Sequence, residues 1–143
     1  MERLVEDLWR ARKRQIRICK RVSYWPRPPI NDPIRLYVDT GASRTTIADR
    51  DAARLGIDYA QLQQSSTPVV GIGSRSVENY LLRNVLLVFR VVGGGYHIER
   101  AREVTVLKHK PQTAKEKAIV DQIPSLLGID VLGKYRIRFT KNV

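Results

Sequence analysis

Residues 36–49 read LYVDTGASRTTIAD, and how they fold decides the architecture. Leu36, Tyr37 and Val38 form a short apolar run, and Asp39-Thr40-Gly41-Ala42-Ser43 is turn chemistry, so a carboxylate sits where a strand stops. A charge held half-buried there is costly and needs a physical reason.

Outward from this stretch, short segments dominate. Thr45 to Leu55 reads as a brief extended piece and then a helix, with Asp49 as its N-cap and Gly56 as its stop. PVVGIGSRSVENY, residues 68–80, carries two valines into a glycine pair, the pattern of a hairpin whose tip needs glycine at Gly71 and Gly73. Residues 84–92 and 96–107 read as strands joined through Gly93-Gly94-Gly95, and residues 108–117 as a basic loop. Residues 118–123 suggest one helical turn, 124–128 a short strand, 130–134 another turn, and 135–139 a last alternating strand. Residues 59–66 carry no clear pattern. Two places share one design, an apolar pair followed by a small polar turn: YVDTGA at 37–42 and SLLGID at 125–130.

Toward the N-terminus, Leu4, Val5, Leu8 and Trp9 share one face of a helix over residues 2–14. Ile16, Ile18, Val22 and Tyr24 alternate as a strand over 15–24, and residues 25–33 hold four of the seven prolines. The expected division is a basic helix and strand extension over 1–33 and one domain over 34–143.

At 143 residues the chain can bury a core without disulfides or a structural metal. Cys19 is the sole cysteine, so no internal disulfide forms; it reads as a small filler, and no zinc-type cluster of Cys and His is present. His97 and His109 read as surface residues. No apolar run reaches the about 20 residues of a membrane helix, and the acidic start is unlike a signal peptide, so a cytoplasmic protein without membrane contact is expected. The net charge of +12, with seven Lys and Arg between Arg10 and Arg21, makes the N-terminal segment a candidate contact for an acidic partner; a solvated face is the simpler account.

The apolar run ending in Asp39-Thr40-Gly41-Ala42-Ser43 resembles the active-site turn of aspartic proteases, and LLGIDVLGKYRI at 126–137 resembles the segment near their C-terminus. The resemblance is closest to single-domain, retropepsin-like members and covers roughly residues 34–139. It implies a mainly β, closed β-barrel-like acid-protease fold with one or two short helices and one lobe per chain. It further implies an aspartic endopeptidase without a cofactor, acting on peptide or protein substrates. Asp39, Thr40 and Gly41 would be catalytic, and Ala42, Val70, Gly71, Ile72, Gly73 and Ser74 would contact substrate, the last five from a flap.

This chemistry uses two carboxylates within about 3 Å sharing one proton, and the chain has a single Asp-Thr-Gly, so a homodimer is expected. Two departures stand out. Where retroviral members carry an acid and an arginine that pair, this chain has Ser43 and Ile129. Asp130 is then best read as a cap of the small helix that follows, although pairing with Arg44 is the alternative. A second reading is a non-catalytic dimeric module on the same fold, binding protein or nucleic acid through its cleft or its basic N-terminal segment. A third, phosphate chemistry of the actin-like kinase type, needs two large lobes for which the chain is too short.

Overall fold

The computed structural model describes residues 17–19, 34–67 and 77–138. Its strands are β1 (Arg17–Cys19), β2 (Leu36–Val38), β3 (Thr46–Ile47), β4 (Gln63–Gln64), β5 (Val77–Arg90), β6 (Tyr96–His109) and β7 (Ser125–Leu127). The helices are α1 (Asp49–Arg54), α2 (Ala114–Val120) and α3 (Ile129–Leu132), with one 3-10 turn at Tyr59–Gln61. The mainly β architecture with short helices is as the sequence implies. The expected helix over 2–14, the loop over 25–33, the hairpin tip at 71–74 and most of the 15–24 strand lie outside the described residues.

The centre of the sheet is one long hairpin. β5 and β6 run antiparallel from the pair Val77 and His109 to the pair Arg90 and Tyr96. Gly93, Gly94 and Gly95 close the tip, all with φ between 85° and 101°, a region that side chains with a Cβ rarely enter. Alternation along β5 buries Val85, Leu87 and Phe89, which meet Ala101, Val104 and Val106 of β6. Each such side chain contributes on the order of 1.5–3 kcal/mol when fully buried.

The remaining strands extend this hairpin in the order β1-β5-β6-β3-β7-β2, with β4 also on β5. β3 lies parallel to β6 and antiparallel to β7, and β2 lies parallel to β7. Thus the two stretches of shared design become neighbours, with Val38 beside Leu127. Among the described residues the path ends at β1 and β2 rather than returning on itself, so the sheet is open and not the closed barrel expected. Among the described residues β2 pairs only with β7 at one end of the path and β1 only with β5 at the other, so no ladder joins the two ends.

Beneath the sheet, Ile34, Leu36, Ile47, Ala52, Leu55, Leu127, Val131 and Leu132 complete one core. α1 ends as the sequence implies. Gly56 adopts φ 63°, its amide reaches the Ala53 carbonyl, and Ile57 N reaches Ala52 O, a Schellman stop with Ile57 buried behind it. Its start differs from expectation: Ala48 is the N-cap, and Asp49 is the first helical residue with its carboxylate turned to His109.

The unpatterned segment after α1 is pinned by aromatics. Tyr59 donates its hydroxyl to Leu107 O at 2.7 Å and packs edge-on against Tyr80, and the Lys108 ammonium lies over both rings. Burial, with Asp49 and Tyr80 nearby, pushes the Tyr59 phenol up to about 12.

Three further expectations change. α2 begins at Ala114, earlier than residue 118, because Thr113 caps it by accepting from Glu116 N. β5 starts at Val77, so the return arm of the expected hairpin and the strand after it are one element. Residues 135–138 form no strand: the Tyr135 hydroxyl is drawn to Glu99 and His97 instead. No helix among the described residues is long and apolar enough to cross a membrane.

Candidate active site

Asp39 follows β2 directly, and its backbone amide donates to Leu127 O at 3.1 Å, the last rung between β2 and β7. The chain then turns sharply, with Ala42 N donating to Asp39 O at 3.2 Å. Within the turn Gly41 N donates to Asp39 Oδ1 at 2.8 Å. A Cβ on residue 41 would stand 3.2 Å from that oxygen, so glycine lets amide and carboxylate meet without pressure. Oδ2 takes no hydrogen bond among the described residues. Asp39 and Ala42 are half-buried, and Thr40 and Gly41 are exposed. One oxygen is thus fixed by the backbone while the other remains open to chemistry.

The turn is held from behind by the segment after β7. Ile129 N donates to Ala42 O at 2.8 Å. Asp130 receives Thr45 N on both oxygens at 2.9 Å, Thr45 Oγ1 at 2.8 Å and Val131 N at 2.9 Å. Thr45 Oγ1 in turn accepts Gly128 N at 3.1 Å. Residue 128 must be glycine for this to close: a Cβ there would lie 2.5 Å from Arg44 C and 2.6 Å from Arg44 O, both backbone atoms.

This corrects the reading of Asp130. The N-cap of α3 is Gly128, and Asp130 clamps the acid-bearing turn to α3. Arg44 pairs with Glu103 at 3.4 Å and not with Asp130. The clamp was missed in the sequence, although Asp130 inside SLLGID and Thr45 after DTGAS were both in view; their distance along the chain hid the bond.

Three further polar contacts tie the elements together. His109 is buried, not at the surface: its amide and Nδ1 each lie 2.6 Å from an Asp49 oxygen. His97 is half-buried, with Nε2 at 2.7 Å from the Tyr135 hydroxyl. Asp51, only 1% exposed, accepts Ser125 Oγ at 2.7 Å, and Ser125 Oγ accepts Ala48 N at 2.9 Å. These bonds fix α1 against β7 and so hold β7 in place behind Asp39. Val70, Gly71, Ile72, Gly73 and Ser74, the expected flap, lie outside the described residues, so Asp39, Thr40, Gly41 and Ala42 are the members of the expected set brought together here.

Among solved structures, the chain is similar to a retropepsin-like aspartic protease from Rickettsia conorii, with 24% identity over 71% of this chain and 63% of that one, and a TM-score of 0.42. The matched part is less than two thirds of the Rickettsia chain. It is also similar to EIAV protease complexed with the inhibitor HBY-793, with 19% identity over 90% of this chain and 96% of that one, and a TM-score of 0.48. The retroviral protease-like domain of Ddi1 from Leishmania major gives 15% identity over 85% of this chain and 75% of that one, with a TM-score of 0.45. No curated protein sequence matches. The family model described as aspartyl protease matches residues 30–131, which include β2, the Asp39 turn, β7 and the glycine and aspartate that clamp it; the chain belongs to the aspartyl protease family.

Proposed function

We propose that the chain is an aspartic endopeptidase that works as a homodimer, with Asp39 from each copy forming the catalytic pair. The observation that carries this reading is the organisation of Asp39: a half-buried carboxylate with Oδ1 held by Gly41 N and Oδ2 open, on a turn clamped from behind. Membership of the aspartyl protease family supports it.

The need for a second copy follows from electrostatics. Two full negative charges 3 Å apart repel by about 5–6 kcal/mol at an effective dielectric constant near 20, so a facing pair keeps one proton between its members. That shared proton supplies both roles that amide hydrolysis requires. The ionised Asp39 takes a proton from a water held between the pair, and the protonated Asp39 donates to the peptide carbonyl as the water oxygen adds. Collapse of the resulting gem-diol breaks the C–N bond as the first carboxyl gives its proton to the departing nitrogen and the second carboxylate takes one back from a gem-diol hydroxyl, which becomes the new C=O. The sequence offers one Asp-Thr-Gly, so the second carboxylate comes from the second copy.

Thr40, exposed beside Asp39, is assigned to bonding across the two-fold axis, and Gly41 and Ala42 to substrate backbone. Residues 70–74 are assigned as the flap that closes over the peptide, with residues 34–143 as the protease unit and 1–33 as an extension.

The test is incubation of wild type and Asp39→Asn with a peptide library from pH 3 to 7, alongside sedimentation of both. Cleavage by wild type that disappears in an equally dimeric Asp39→Asn is the expected result. Undiminished cleavage by that variant, or no cleavage by a dimeric wild type at any pH, would overturn the reading.

A further inference from the structure

The outer face of the β5–β6 hairpin carries positive charge that its neighbours do not neutralise. A cavity of about 420 Å³ lies between that face and the turn after Asp39; Arg44, Arg100, Arg102 and Lys134 supply its cations, and Glu103 and Asp130 its carboxylates. A second cavity of about 330 Å³, lined by Arg83, Asn84, Arg102 and Glu103, shares two of those residues, so the two make one trough. Asn84 stands at φ 53° inside β5, and the ladder passes from the pair Arg83 and Glu103 to the pair Val85 and Ala101. Asn84 itself lines the second cavity, opposite Arg102 in the ladder's register.

Most of the charges are already engaged. Asp130 is committed to Thr45 and Val131, Glu103 to Arg44, Lys134 to Glu99, and Arg83 donates to Gln63. Arg100 and Arg102, both exposed and on the same side of β6, have no ionic partner among the described residues. Two free guanidinium groups on a rigid strand, two residues apart, present forks suited to carboxylates.

We propose that this trough binds an acidic stretch of polypeptide through Arg100 and Arg102, and that it selects substrates carrying Asp or Glu beside the scissile segment. The second clause rests on the protease reading; the first does not. Polypeptide is favoured over single-stranded nucleic acid because, among the described residues, no aromatic side chain lines either cavity to stack a base. Continuity with the candidate site argues the same way. Ser43 and Arg44 line the trough, and Arg44 follows Asp39 by five residues, a chain length that spans at most about 17 Å when fully extended. An extended peptide lying over Asp39 reaches the trough with about five residues.

The experiment has two arms. In the first, binding of fluorescein-labelled octaglutamate is measured for wild type, for Arg100→Glu with Arg102→Glu, and for a control with Arg90→Glu and Lys115→Glu. The control makes the same change of charge at exposed positions elsewhere. A loss of about tenfold or more in the first variant, with less than about threefold in the control, is expected, and binding weakens between about 50 and 300 mM salt. Equal losses in the two variants, or equally tight binding of an octathymidylate, overturns the proposal. In the second arm, kcat/KM is compared for one apolar peptide with glutamate flanks and with serine flanks. A preference of about tenfold for glutamate in wild type, collapsing toward one in the variant, is expected. Cleavage without any such preference sinks the selection while leaving the protease reading intact. If no peptide is cleaved, the protease reading fails and the binding arm alone decides the trough.

Discussion

Thr45 donates both its amide and its hydroxyl to the carboxylate of Asp130, at 2.9 and 2.8 Å, across 85 residues of sequence. Thr45 is fully buried and lies six residues beyond Asp39, so this bond sets where the acid-bearing turn sits on the core. Asp130→Ala leaves the Thr45 amide without its acceptor, and hydrogen bonds to charged groups contribute about 1.5–3 kcal/mol each. A loss of about 2–4 kcal/mol in urea unfolding is expected, with Asp130→Asn losing less because one acceptor oxygen remains. A loss below about 0.5 kcal/mol for the alanine variant would show the clamp to be ornamental.

Gly128 faces backbone on the side where a Cβ would project. Arg44 and Thr45 cannot swing aside as a flexible side chain would, so the strand end and the turn must separate. Gly128→Ala is expected to cost about 3 kcal/mol or more, or to prevent folding, and to release the Asp39 turn with it. Thermal unfolding compared with Gly94→Ala provides the check: residue 94 has open space around it, and only its φ of 101° opposes a side chain.

Ser125 stands between two buried partners, accepting Ala48 N and donating to Asp51. Ser125→Ala strands both in a dry site, and the expected loss is about 2–4 kcal/mol. Pairing Ser125→Ala with Asp51→Ala in a double-mutant cycle should show strong coupling; additive losses would mean that the two groups act separately.

Glu99 gives the fold a pH dependence. Burial opposes its ionisation, but the Lys134 ammonium, the Tyr135 hydroxyl and His97 outweigh that cost and hold its carboxyl below the ordinary range. The same burial and the Glu99 charge push the Tyr135 phenol upward. With the folded value below the unfolded one of about 4.3, the stabilisation is complete above about pH 5 and is lost as pH falls through the depressed value. Stability measured from pH 7 down to pH 3 should therefore converge for wild type and Glu99→Gln. A gap that stays constant over that range contradicts the linkage.

Local chemistry made much of this legible in the sequence. The strand that ends in Asp39, the Gly56 stop and the triple-glycine tip are each decided by a few adjacent residues, and each stands as read. What distance decides was hidden. Asp49 has the local look of a cap, yet His109, sixty residues away, takes its carboxylate. The alternation of residues 135–138 is that of a strand, but the Tyr135 hydroxyl binds the half-buried His97 and Glu99 and the backbone joins no ladder. The shared design of residues 37–42 and 125–130 was visible, and the parallel pairing it foreshadowed was not, because periodicity gives a strand its faces and not its neighbour.

The pairing of β2 with β7 also governs when the turn can take shape. A ribosome releases Asp39 long before Leu127, Gly128 and Asp130, and until those residues emerge the acid has neither its rung nor its clamp. A nascent chain, or one clipped ahead of β7, therefore carries the right letters in an unshaped loop. An incomplete copy has the residues of the turn without the partners that give it its geometry.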